Sequence, residues 1–154
     1  MLELSTAGVT LQYVTETTPD ERPTSGYKII PGIKSIPDFN PEPNSLQVTD
    51  LSDTEFHRYI SGLRDLGGSL GFGANHTQAF MDEWDDLVQD FKLKKEQGLA
   101  TWFAIVVPGL ENSMYFAGEP APLGMSAMEV DAVLEINAYI APNKMDGWQT
   151  KPAA

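Results

Sequence analysis

Glycine and proline interrupt this chain so often that long regular elements fit in few places. Thirteen glycines and eleven prolines are spread over 154 residues. Short apolar segments lie between the breaks, which is the pattern of an antiparallel β domain. Val9–Val14 alternates and reads as a first strand. Thr15–Ser25 is polar, holds Pro19 and Pro23, and reads as a loop. Tyr27–Ile30 is a short strand stopped by Pro31 and Gly32. Residues 31–43 hold Pro31, Pro37, Pro41 and Pro43 and are expected to run extended without a regular ladder. Leu46–Thr49 is a further strand.

The stretch 50–67 has no clear period. It mixes Asp50, Asp53, Glu55, Arg58, Arg64 and Asp65 with Leu51, Phe56, Tyr59, Ile60 and Leu63. A loop of that length inside a compact domain is usually functional or disordered. Five large apolar side chains argue against disorder, because they need cover. Either the loop packs on its own domain or a neighbouring molecule covers it.

Ser69–Asn75 alternates Leu70, Phe72 and Ala74 against Ser69, Gly71, Gly73 and Asn75. The small face means that something approaches the backbone or that the face lines open space. A helix follows at about 77–97. Phe80, Trp84, Leu87, Val88 and Phe91 form one stripe at helical period. Thr77 is the expected N-cap and Gly98 the stop. Acidic residues lead and Lys92, Lys94 and Lys95 trail, in the order that complements the helix dipole. Ala100–Val107 reads as a strand buried on both faces, and Met114–Ala117 as a shorter one. Met128–Ile140 alternates strictly and predicts a long strand, with Glu129, Asp131 and Glu135 on its polar face. The tail from Pro142 reads as short and polar. The expected result is a single α+β, mainly β domain: a β sandwich or open barrel with one flanking helix.

Composition narrows the function. Ten lysines and arginines against 22 acidic residues leave a formal charge of −12. That disfavours an electrostatic nucleic-acid or anionic-membrane binder. The chain has no cysteine, which removes disulfides, thiol nucleophiles and thiolate metal sites and suits a reducing cytoplasm. No segment is long and apolar enough to span a bilayer, and MLELSTAGVT has no signal-peptide pattern, so neither is expected. The catalytic inventory is thin. His57 and His76 lack the carboxylate spacing of a metal site. Asp82, Asp85 and Asp86 read as a solvated helix face rather than an acid–base pair. Gly67, Gly68, Gly71 and Gly73 are not followed by the lysine of a phosphate loop, and no G-x-S-x-G occurs. No enzyme, cofactor or metal is expected.

The stretch KIIPGIKSIPDFNPEPNSLQVTDLSDTEFHRYISGLRDLGGSLGF, residues 28–72, resembles the tail tube (major tail) proteins of long-tailed bacteriophages. ATWFAIVVPGL, residues 100–110, and YFAGEPAPLGMSAMEVDAVLEINAYIAPNK, residues 115–144, are similar to the same family and stand in the same order. The first 25 residues carry less of the likeness. The resemblance implies a β sandwich with a flanking helix. Six copies form a ring whose inner sheets join into one continuous barrel, and rings stack into a tube. The partners it implies are further copies of the chain, the tape-measure protein, tail-tip or baseplate proteins and terminator proteins. The viral DNA passes through without specific binding, and no membrane is involved. The place it implies is the virion tail, assembled in the host cytoplasm.

Three physical points fit that resemblance. Joining sheets between copies removes exposed edge strands. The apolar content of 50–67 gains a neighbour to cover it, with Leu51, Phe56, Tyr59, Ile60 and Leu63 as anchors and Asp53, Arg58 and Arg64 as rim charges. An acidic lumen repels phosphate and lets DNA slide. Glu129, Asp131 and Glu135 are the expected lumen-facing carboxylates. Bulk solvent is the other surrounding their face allows, and the small face of Ser69–Asn75 competes as lumen lining. Two other readings stay open: a terminator or connector ring of related fold, and a carbohydrate-binding or adhesion module using exposed aromatics such as Trp102 or Trp148. An acid-pair glycosidase is more distant, since it needs paired carboxylates in a cleft.

Overall fold

The computed structural model describes residues 3–64, 66 and 68–153; Asp65 and Gly67 of the 50–67 stretch lie outside them. Nine strands and one helix occur in the order β1 (Thr10–Thr15), β2 (Lys28–Ile29), β3 (Ile33–Ser35), β4 (Pro43–Gln47), β5 (Tyr59–Arg64), β6 (Leu70–Asn75), α1 (Gln78–Lys95), β7 (Thr101–Val106), β8 (Asn112–Pro120) and β9 (Glu135–Thr150). Seven strands form one antiparallel sheet in the order β2-β1-β7-β8-β9-β6-β3, curled into a half-barrel. Of the two expected arrangements, the open barrel is the one formed. β4 and β5 make a separate two-stranded sheet.

The curled sheet buries apolar side chains on both faces. On one side α1 seats Phe80, Trp84, Leu87 and Val88 against Leu11, Phe72, Phe103, Phe116 and Ile140. On the other, Trp102, Ala104, Tyr115 and Ala117 pack with Val14 and Tyr27. β7 therefore is buried on both faces, as its unbroken apolar run requires. Polar ties fasten the helix to the sheet. The Tyr13 hydroxyl donates to Glu83 Oε1 at 2.6 Å, and the Trp84 indole N–H donates to the Ala121 carbonyl at 2.9 Å. Thr77 sits in extended conformation, and its hydroxyl accepts from Phe80 N at 3.2 Å, the expected N-cap. At the other end Gly98 adopts φ +76° and Leu99 N bonds back to the Lys94 carbonyl.

Glu16 is 3% exposed and carries a carboxylate into the second core layer. Its two oxygens accept from Ala100 N and from the Trp102 indole N–H, each at 2.8 Å. Those bonds replace the water a buried carboxylate loses.

Four expectations need correction. The strand expected over Met128–Ile140 begins only at Glu135, and residues 121–134 are not strand. The tail from Pro142 is instead the second half of the 16-residue β9. Among the described residues the side of β9 away from β8 carries no ladder beyond Ile140, so Pro142 interrupts none there. Residues 31–43 do contain a ladder strand, β3, which pairs with β6 through Ile33↔Ala74 and Ser35↔Gly73. The stretch 50–67 is not irregular throughout, because Tyr59–Arg64 is β5.

Candidate assembly surface

β4 and β5 pair in the register Gln47↔Tyr59, Leu46↔Ile60 and Ser45↔Ser61, with an irregularity before Pro43↔Arg64. All five residues of β4 and five of the six in β5 are exposed. None of their side chains joins either core cluster. Alternation puts Val48, Leu46 and Ile60 on one face of this arm, and Tyr59 and Leu63 on the other. Leu51 is fully exposed, Leu63 88% and Phe56 79%. A lone two-stranded hairpin is marginal in water, so an arm apolar on both faces calls for a partner.

The tip of the arm is ordered by its own polar groups. Val48 N donates to the Arg58 carbonyl at 2.8 Å, and Arg58 N donates to Thr49 Oγ1 at 2.8 Å. The Arg58 guanidinium binds Asp53 at 2.9 Å and approaches Asp50 at 3.5 Å. Asp50 N donates to Asp53 Oδ2, while Ser52 N donates to Asp50 Oδ1. Hydrogen bonds from the Ser52 side chain, then from its backbone, hold the Asp50 carboxyl below its ordinary value. Leu51 and Phe56 are thus presented outward from a built turn. Of the expected contact residues, Leu51 and Phe56 lie in this tip with Arg58 at its base, and Tyr59, Ile60, Leu63 and Arg64 lie on β5. Arg58 is a brace within the arm, a role that loop composition did not reveal.

The expected lumen carboxylates are split. Glu135 opens β9, on the sheet face turned away from α1, and its carboxylate is bound by Lys34. Glu129 and Asp131 lie in the non-strand segment, where Asp131 adopts φ +57°. They share no strand face with Glu135, because the strand that would have aligned them does not form. The two faces that competed for the same role turn out to be one. β6 pairs with β9 through Gly71↔Tyr139, Gly73↔Asn137 and Asn75↔Glu135, so both polar sides are neighbours. Its small residues are explained by close approach. A Cβ on Gly71 would lie 3.0 Å from the Tyr139 ring, and one on Gly73 would collide with Ser35 Oγ.

Among the described residues no group of three or more histidines and carboxylates is placed to hold a metal ion, and no helix is long and apolar enough to cross a membrane. Trp102 is 1% exposed and cannot serve as a sugar-stacking platform; Trp148 is half exposed.

No protein-family description and no curated protein matches the chain. A solved structure does: a chain of the six-fold symmetrised cryo-EM structure of the anti-feeding prophage baseplate, with a TM-score of 0.62. The match covers 94% of this chain and 95% of that one, at 10% sequence identity. What they share is the fold. The likeness in fold runs over nearly the full length of both chains.

Proposed function

We propose that this chain is a structural subunit of a phage tail or a related injection particle. It polymerises as stacked six-membered rings into the tail tube, around a tape-measure protein, and catalyses nothing. The observation that carries this reading is the β4–β5 arm, which presents Leu51, Phe56 and Leu63 to solvent with no core of its own to receive them. The likeness in fold to a chain from a six-fold symmetrised prophage baseplate supports the same reading. Leu51, Phe56, Arg58, Tyr59, Ile60, Leu63 and Arg64 form the contact between copies. The β6–β9 part of the sheet face opposite α1, bearing Glu135, lines the lumen, and the segment with Glu129 and Asp131 joins that lining. The chain's −12 charge makes such a wall repel DNA phosphate.

A second reading is favoured by the nature of the matched particle. In that reading the chain forms a baseplate, connector or terminator ring, one layer rather than a stack. Copy number in a purified particle separates the two, since a tube holds many rings and a cap holds one. The arm is tested by replacing Phe56 and Tyr59 with alanine together. The variant is expected to keep the wild-type melting temperature and to stay in the supernatant under conditions where the wild type sediments as particles. Equal sedimentation of both proteins would remove the arm from the interface.

A further inference from the structure

Met128–Leu134 has the sequence of a strand and the conformation of none. Met128, Val130, Ala132 and Leu134 alternate with Glu129, Asp131 and Val133, yet the segment is irregular and Val130 is 92% exposed. The reason is a missing neighbour. On one side β8 ends at Pro120, and the last bond toward β9 is donated by Ala121 N to the Tyr139 carbonyl. On the other side β6 ends at Asn75, where the chain turns into α1; only His76 N reaches back, to the Leu134 carbonyl. Among the described residues no strand pairs with 128–133. A segment with strand alternation and no ladder leaves its backbone to water, and its apolar side chains with it.

The same chain has an open edge. β9 pairs with β6 only as far as Leu70↔Ile140, whereas its other side pairs with β8 through Thr150. From Ala141 onward, the backbone groups pointing away from β8 meet no described strand. The charges complement one another too. Asp146 on that edge is neutralised by Arg22 at 2.6 Å, while Lys144 and Lys151 have no carboxylate partner among the described residues. Glu129 and Asp131 likewise have no cationic partner there. Continuing the alternation of β9 backward puts Glu129 and Asp131 on the face of Glu135, away from α1. Lys144 is on that face as well, with its ammonium 5.6 Å from the centre of the Trp102 ring.

We infer that residues 128–134 become a strand only on assembly, by adding to the free edge of β9 in a second copy of this chain, where Glu129 and Asp131 flank Lys144. This rests on the proposed association of like copies. Such an interface is head-to-tail, since the donated segment and the accepting edge are different surfaces, and it closes into a ring when the rotation allows.

Hydrogen–deuterium exchange of the full chain, free and in assembled particles, reads the transition directly. The amides of 129–134 are expected to slow by about tenfold or more on assembly. Val130→Pro, which removes an N–H that makes no bond among the described residues, is expected to leave the monomer's melting temperature unchanged and to stop assembly, while Val130→Thr assembles. Lys144→Glu is expected to impair assembly and to be rescued by Glu129→Lys with Asp131→Lys. If particles form while 129–134 keep exchanging at the free rate, or if Val130→Pro assembles normally, the inference is wrong and the subunit reading stands. A chain that remains monomeric when concentrated overturns both.

Discussion

Glu16 shows how much one side chain fixes in this fold. Its carboxylate accepts from both the Ala100 amide and the Trp102 indole, tying the end of β1 to the start of β7. Glu16→Ala leaves two buried donors without partners and is expected to cost about 2–3 kcal/mol, seen as a lower urea midpoint with unchanged slope. Glu16→Gln is expected to destabilise as well, because its amide oxygen accepts from one donor while its NH₂ faces the other. Asp50 makes a smaller, exposed case at the arm tip. Its carboxyl lies below its ordinary 3.8 when the tip is ordered, so its bonds favour the ordered tip above that value. The contribution is lost as pH falls through the lowered value. The amides of Leu51 and Ser52 are therefore expected to hold their NMR shifts from neutral pH down to about the ordinary carboxylate range, then move together below it. Movement already near neutrality would show that another group orders the tip.

At the scale of the element, α1 packs on its own sheet, whereas the arm joins neither core cluster. α1 is held by its own chain: Thr77→Ala is expected to cost about 1 kcal/mol through the lost cap, and Leu87→Ala about 2–5 kcal/mol through the cavity left against the sheet. Thermal or urea unfolding of the free monomer checks both. These elements were legible in the sequence because their signals are local. The stripe from Phe80 to Phe91, the Thr77 cap and the apolar run of β7 each state which face is buried, and the burial is supplied within the chain. Met128–Ile140 was misread for the opposite reason. Alternation states that a segment has two faces, not that a ladder neighbour exists, and among the described residues none pairs with it before Leu134. The second half of β9 was hidden by Pro142 and Gly147, which an open edge and a bulged strand tolerate. β5 was hidden because it is exposed on both sides and has no burial rhythm. Of the candidate surface, the anchors Leu51, Phe56 and Tyr59 could be named from their cost in water, whereas the brace of Arg58 on Asp50 and Asp53 needed the geometry of the turn.

Among its described residues the molecule keeps unsatisfied surfaces in separate places: an arm with apolar side chains on both faces, a β9 edge with no described strand beside it from Ala141 onward, and a segment with strand alternation but no described neighbour. A self-contained adhesion module has no need of all three, while a subunit that closes on its own copies uses each. Purified protein, concentrated and viewed by negative-stain electron microscopy, tests this most directly. Rings with six-fold end views, stacked into hollow tubes, are the predicted result. Uniform single copies at every concentration, with no rings and no tubes, would contradict it.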